Sequence, residues 1–369
     1  MLLSLLCALT MLGNPRSGLP PGDTTPSADS TSIVRLSDVV TVATRIPREF
    51  RRVGLSTSCI RLDPAVWAQQ ELPTALARIR GLDIRPYGPG AGLAAISVWG
   101  STSQQTLILV DGHPTTNGFS GTTDPGLLRL TNVTDIEVAR GAASSLYGSN
   151  ALGGVVQLLT FRPREQAPGT MRQSYQLGVG LPSRSLVAPA SLPSGLGNNV
   201  SYGATGRYGP IGLRLDLAAH RKQGSRTNET SDGLSGTGGI SYFSGQELEL
   251  DLSISSSRRK LGLPGPKPDL SLLPRFGDSL ATSRFDREND ELTTIRGDLH
   301  HHLATHAGEL TLDIKPDHTW SVTKYQTLLP YAADTTEIKT DCYRSRTSNN
   351  SLPLRFVPVP RAQLTIGHD

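Results

Sequence analysis

Leucine or isoleucine recurs at every second position in three stretches of the chain's second half: Leu213, Leu215 and Leu217; Leu248, Leu250, Leu252 and Ile254; Leu310, Leu312 and Ile314. A side-chain period of two is that of a β-strand, so each stretch must present one apolar face. The residues between them, among them Arg214, Asp216, Glu249, Asp251 and Asp313, make the opposite face polar. Two architectures accept this pattern. In a soluble β-sandwich the apolar faces meet in a dry core; in a transmembrane barrel they meet lipid, and the polar faces line the interior. The connections favour the barrel, because tight turns near Gly209-Pro210 and Gly245 alternate with long polar stretches around 181–198, 222–238 and 258–291. Composition agrees with mostly β structure: Gly (38) and Pro (26) are abundant while charged residues are 18% and aromatic residues 5%, which suits strands and turns better than helical bundles.

The first half reads differently. Pro73 can occupy the first position of a helix over Thr74 to Arg80, with Gly81 at its C-terminal cap and Leu72, Leu76 and Ile79 as its buried stripe. Strands are expected at Leu82–Arg85, Ala95–Val98 and Thr106–Val110, the last running into an Asp111-Gly112 turn, with a loop over Tyr87–Leu93. From Val133 to Phe161 two further strand patterns flank a turn-rich hinge, in which Gly141, Gly148, Gly153 and Gly154 supply backbone freedom and Ala142–Tyr147 can form a short helix. These elements describe a small mixed α/β module ahead of the strand-rich half.

The N-terminal run Leu2–Leu12 is too short to span a bilayer and has the length of a secretory h-region, although no Lys or Arg precedes it. We expect a signal peptide over 1–18 and a flexible linker over 19–37, where Pro, Gly, Ser, Thr and Asp leave little to bury. Asp38–Arg45 is then a β-prone run on a leash. Such a run can add to the sheet edge of a partner, or serve as the first strand of the following module. Charge excludes a nucleic-acid footprint: the net charge of +4 is dispersed, and the one tight basic run, Arg258-Arg259-Lys260, reads as a solvated loop. Cys7, Cys59 and Cys342 fit neither a disulfide framework nor a zinc site, and Cys59 and Cys342 read as unrelated thiols. GPGAGL at 88–93 lacks the spacing of a dinucleotide fingerprint. GFSGT at 118–122 misses the nucleophile-elbow spacing, and His300, His301, His302 and His306 read as a solvated strand end, so no catalytic residue, metal site or cofactor is expected.

Several segments in order resemble the TonB-dependent outer-membrane receptors. DVVTVAT at 38–44 looks like the family's TonB box, and LPTALARIRGLDI at 72–84 is similar to its first plug helix and following strand. ISVWG at 96–100, LILVDGHP at 107–114 and IEVARGAASSLYGSNALGGVVQLLT at 136–160 resemble its later plug signatures, with Trp99 where the family usually has Arg. The resemblance implies a TonB box and plug domain over 38–163 and the N-terminal part of a transmembrane β-barrel over 164–369, in the outer membrane of a Gram-negative-type cell. It implies import of a scarce solute such as a siderophore or cobalamin, with no chemical step. Asp38, Val39, Val40, Thr41, Val42, Ala43 and Thr44 would bind a periplasmic TonB-type energy-transducing protein. Tyr87, Gly88, Gly90, Asn117, Phe119 and Ser120 would bind a small molecule or metal chelate on apical plug loops, and Glu137 and Arg140 would tie plug to barrel. About 206 residues follow Pro163, room for about eight to ten strands against about 22 in plugged transporter barrels, and LTIGHD lacks the terminal aromatic signal of such barrels. A truncated copy or fragment is therefore expected; the alternative is a non-transporting plug-type binding or interaction protein, or a pseudogene remnant.

Overall fold

The computed structural model describes residues 39–40, 48–49, 55–62, 72–86, 94–118, 120–128, 132–180, 197–224, 228–245, 247–263, 286–305, 308–328, 338–352, 354–358 and 364–366. A two-residue ladder comes first, β1 (Val39–Val40) antiparallel to β2 (Arg48–Glu49). The module that follows contains β3 (Ser56–Arg61), α1 (Leu72–Leu76), β4 (Leu82–Pro86), β5 (Ala94–Val98), β6 (Thr106–Val110), β7 (His113–Pro114), β8 (Val133–Arg140), α2 (Ser144–Tyr147) and β9 (Gly154–Thr160). Its sheet has the order β3-β8-β9-β6-β7, parallel only between β6 and β9, and β4 pairs β5 separately. On one side of the sheet Leu72, Leu76, Ile79, Ile96, Ile108, Ile136 and Val156 form a core; on the other, Leu107, Leu109, Ala139, Ala143 and Val155 form a second. That explains why β6 reads TLILV without polar alternation: a strand covered on both faces has no side to give to water.

The helical stripe is buried as expected, but α1 spans only five residues. Beyond it the bonds tighten to the three-residue type, Arg78 N–H to Ala75 O and Ile79 N–H to Leu76 O, and the chain turns at Gly81. Strand β3 was not anticipated: STSCIR carries no clear alternation, and it is the ladder with β8, from Ser56 opposite Arg140 to Arg61 opposite Asp135, that makes it a strand. Trp99, where the resembling family usually has Arg, lies at the end of β5 beside the turn at Gly81. It has φ +49° and is 62% exposed, and its ring edge fills the space where a side chain on Gly81 would stand.

The second half is a wall of long antiparallel strands: β10 (Thr170–Gly180), β11 (Gly197–Tyr208), β12 (Ile211–Gln223), β13 (Thr230–Ser244), β14 (Leu248–Gly262), β15 (Arg287–Thr305), β16 (Gly308–Leu328), β17 (Ile338–Ser351), β18 (Leu354–Pro358) and β19 (Leu364–Ile366). Consecutive strands pair up to β16, which takes β17 along one half and β18 along the other in a single register, Leu328 opposite Ile338 through Gly308 opposite Pro358. Among the described residues β10 pairs only with β11, so the sheet is a partial barrel that does not close. The alternation behaves as a barrel requires: Leu213, Leu215, Leu217, Leu250, Leu252 and Ile254 are exposed on the outer face, while Arg214, Asp216 and Glu249 turn toward the module.

Two loop expectations are corrected. Strand occupies 222–223 and 230–238 within one expected loop, and 258–262 and 287–291 within another. The segment TSDGLSGTGG reads as a loop because its small residues give no hydrophobic alternation, yet it is laddered on both sides. The run Arg258-Arg259-Lys260 alternates along β14, so Arg259 points inward and is 2% exposed while Arg258 and Lys260 are exposed. His300, His301 and His302 likewise lie within β15, with His300 paired to Asp313, rather than in a solvated turn.

Candidate functional site

Of the polar residues on the inner strand faces, Arg214, Asp216 and Glu249 meet the module at its seam with the wall, while Asp251 bonds Ser241 and Asp313 pairs with His300 inside the wall. Asp111 and Gly112 form the turn from β6 to β7 with φ +53° and +89°, both left-handed as a type I′ hairpin demands. Gly112 has a second reason to lack a side chain: a Cβ there would lie 2.9 Å from Lys315 Nζ. That ammonium donates to Asp111 O at 2.9 Å and stands 3.7 Å from Asp298 Oδ1, which also contacts His113 Nε2 at 3.0 Å. The Asp111 carboxylate accepts the Thr160 N–H at 2.9 Å and its hydroxyl at 2.7 Å, and Arg214 donates to Thr160 Oγ1 at 2.7 Å while lying 3.9 Å from Asp111. Burial alone would raise the Asp111 pKa, but the Arg214 and Arg162 guanidiniums and the two Thr160 donors outweigh it and hold the group below the ordinary carboxylate value.

A second tie lies nearer the long connections. Asp124 accepts the N–H groups of Ala94 (3.1 Å) and Gly126 (2.9 Å), fixing the start of β5 and the turn Pro125–Leu127, and its other oxygen is 2.6 Å from Arg259 NH1. Arg259 NH2 donates to Asp290 at 2.6 Å, and Thr323 Oγ1 donates to the other Asp290 oxygen at 2.9 Å. Burial pushes the Asp124 carboxyl up despite the guanidinium beside it, so desolvation outweighs the attraction. Such a pair fixes position more than it adds stability. Asn132 donates to Asp216, and Arg164 pairs with Glu249 at 2.9 Å, completing the seam.

The expected site residues distribute unevenly. Val39 and Val40 form β1, while Asp38, Thr41, Val42, Ala43 and Thr44 lie outside the described residues, as do Tyr87, Gly88, Gly90 and Phe119. Asn117 accepts from Ser321 Oγ of the wall at 3.3 Å, and the exposed Ser120 hydrogen-bonds Thr122 and, through its carbonyl, Gln104. Arg140 was expected to reach the wall. It instead donates twice to Arg80 O (3.0 and 2.7 Å) and once to Ser58 Oγ (2.9 Å), because the end of β8 abuts the turn after α1 and the nearest acceptors belong to the module. Glu137 is buried on β8 opposite Cys59. The wall ties through Asp111, His113 and Asp124 were missed; the signal for them is the inward polar set of the wall, which needs charged partners on whatever it encloses.

Residues 66–155 match the family model described as TonB-dependent receptor plug domain. The vitamin B12 transporter BtuB of Vibrio cholerae serotype O1 is 42% identical over 99 residues, 27% of this chain and 16% of that protein. Among solved structures, the siderophore receptor PirA from Acinetobacter baumannii superposes with TM-score 0.57 at 17% identity, covering 84% of this chain and 47% of that one. FpvA of Pseudomonas aeruginosa, bound to a heterologous pyoverdine and iron, does so with TM-score 0.63 at 15% identity over 89% of this chain and 43% of its own. The chain thus spans about half the length, or less, of the receptors whose fold it shares.

Proposed function

We propose that this chain, which carries a TonB-dependent receptor plug domain followed by a partial receptor-type β-barrel sheet, is the plug and first barrel portion of an outer-membrane receptor that takes up a scarce solute, a siderophore chelate or cobalamin. The observation that carries the reading is the seam itself: a module matching the plug model is tied by buried polar contacts to the polar face of strands whose other face is apolar. We divide the chain into a signal peptide to residue 18, a linker to 37, TonB box and plug to 163, and barrel strands from 164. The role is binding and passage without a catalytic step.

In this reading Asp38–Thr44 pair with a strand of a periplasmic energy-transducing protein. The β1–β2 ladder of two residues is too short to compete strongly with such pairing. The apical loops bearing Tyr87, Gly88, Gly90, Asn117, Phe119 and Ser120 hold the solute. Cobalamin has the support of the 42% identity to a vitamin B12 transporter over 99 residues; siderophores have only the shared fold. The test is to fractionate expressing cells, then measure binding of cyanocobalamin and of ferric enterobactin to the purified full chain in detergent, and its cross-linking to a TonB periplasmic domain. Outer-membrane recovery, saturable binding of one probe and cross-linking that Val40→Pro abolishes are expected. Recovery in the soluble periplasm without cross-linking would favour the plug-type interaction protein instead.

A further inference from the structure

The outer face of the wall is not apolar throughout, and its change of character follows a diagonal. One hydrogen-bonded row runs Leu217, Gly236, Ser256, Thr293, Trp320, Arg346 across β12 to β17. The row begins among exposed leucines and ends on an arginine. The apolar band meanwhile drops along successive strands, from Leu213–Leu217 on β12 through Leu250–Ile254 on β14 to Leu310, Leu312 and Ile314 on β16 and Leu354 on β18. A tilt of about 35–45° between strands and membrane normal produces this offset, so the diagonal band is the membrane belt and the row crosses it.

On β16, Trp320 lies eight positions beyond Leu312 toward the long connections. At about 3.3 Å per residue and that tilt, it stands about 20 Å from the belt's centre, outside a hydrocarbon half-thickness of about 15 Å and within the headgroup layer. Alternation fixes which residues point out there. Asp317, Thr319, Ser321 and Thr323 are buried inward and Ser345 meets Ser321, which leaves His318, Trp320, Val322 and Lys324 on β16 and Arg344, Arg346 and Ser348 on β17 facing outward. The His318 and Trp320 rings pack edge to face at 4.3 Å, Arg346 Nε donates to His318 Nε2 at 2.5 Å, and Ser348 Oγ meets His318 Nδ1, so the imidazole holds the guanidinium beside the indole. The neighbouring Arg258 is neutralised by Glu291 at 3.2 Å on the same face. Lys324 and Arg344 have no carboxylate partner among the described residues, and Arg346 spends only Nε.

We propose that this patch binds the phosphate-bearing headgroups of an anionic lipid surface, with Arg344 and Arg346 as the principal contacts, Lys324 beside them and Trp320 at the headgroup level. Its continuity with the apolar belt and its unpaired positive charge select that occupant: a soluble anion would gain the charge but not the adjoining belt. The proposal rests on the membrane reading above.

The full chain with Trp67→Phe and Trp99→Phe, which leaves Trp320 as its one indole, is refolded with phosphatidylcholine vesicles containing or lacking phosphatidic acid. Flotation and Trp320 emission are both recorded. We expect flotation with both vesicle types and a saturable, salt-sensitive change of Trp320 emission only with phosphatidic acid. The lipid affinity should fall about fivefold for Arg344→Gln or Arg346→Gln and about 25-fold for the pair, with flotation and circular dichroism unchanged. Flotation with both vesicles but no lipid-dependent emission change, or a change that survives the double substitution, overturns the headgroup site alone. The same response to inorganic phosphate in neutral vesicles assigns the patch to a soluble anion and overturns it too. Failure to float with either vesicle removes the membrane reading and this proposal with it.

Discussion

Arg259 lies 2.6 Å from Asp124 on the plug and 2.6 Å from Asp290 on the wall. Removing it would strand two carboxylates in a buried seam, so Arg259→Gln should destabilise the plug–wall contact by about 3–5 kcal/mol, while the Asp124→Asn, Arg259→Gln double variant should recover part of that loss. Hydrogen exchange at the Ala94 amide, which bonds Asp124, reads the local effect; equal losses in the single and double variants would refute the tie. Asp111 gives a signed pH prediction. Its folded-state pKa is depressed, so its contribution is complete above the ordinary carboxylate value of about 4 and is lost as pH falls through the lower, folded value. Acid detachment of the plug, followed by proteolysis, should therefore move to higher pH in Arg214→Gln. The leucine period puts Arg214 and Asp216 on a polar strand face, whereas three successive charges show no hydrophobic alternation, so Arg259 reads as solvated. The period of two nonetheless runs through Arg258-Arg259-Lys260 and sets the buried Arg259 apart from its exposed neighbours.

At the scale of elements, the unit β8–α2–β9 was the most legible part of the chain, since its glycines mark backbone that no other residue can follow. Gly154 has φ +154°, and a Cβ there would sit 2.5 Å from Ala139 O, a backbone atom that cannot rotate away. Gly154→Ala should cost about 2–4 kcal/mol of plug stability, measured by denaturant unfolding, and a loss below about 1 kcal/mol would show that β9 shifts without penalty. Strands β3 and β13 were illegible for the opposite reason: STSCIR and TSDGLSGTGG carry no local periodicity, and each is a strand because a neighbour supplies its ladder. The break between β15 and β16 is of the same kind. Pairing stops after Arg296–Asp317 and resumes at Leu299–Ile314, where Pro316 has no N–H to give, and Asp298 beside that gap is the residue His113 contacts. A proline could be seen in the sequence; its placement opposite the plug's turn could not.

The module and the kind of wall were readable at the scale of the molecule because both follow from local signals, plug motifs in order and a period of two. Closure is not local, since it depends on how many strands share one sheet and on what lies beyond its edges. In this sheet β10 offers one side of its eleven residues to no strand among those described. Roughly half of its backbone N–H and C=O groups point that way, and each left unpaired in lipid costs several kcal/mol, far more than the net stability of a domain. The 369-residue chain on its own should therefore not remain a monomer with a bare β10 edge in micelles or bilayers; it should associate edge to edge. Sedimentation in detergent is expected to show dimers or larger species, and Leu177→Pro, which removes a ladder donor from the middle of β10, should shift them toward monomer. A monodisperse monomer whose β10 amides are all protected from exchange would show instead that the chain covers this edge itself.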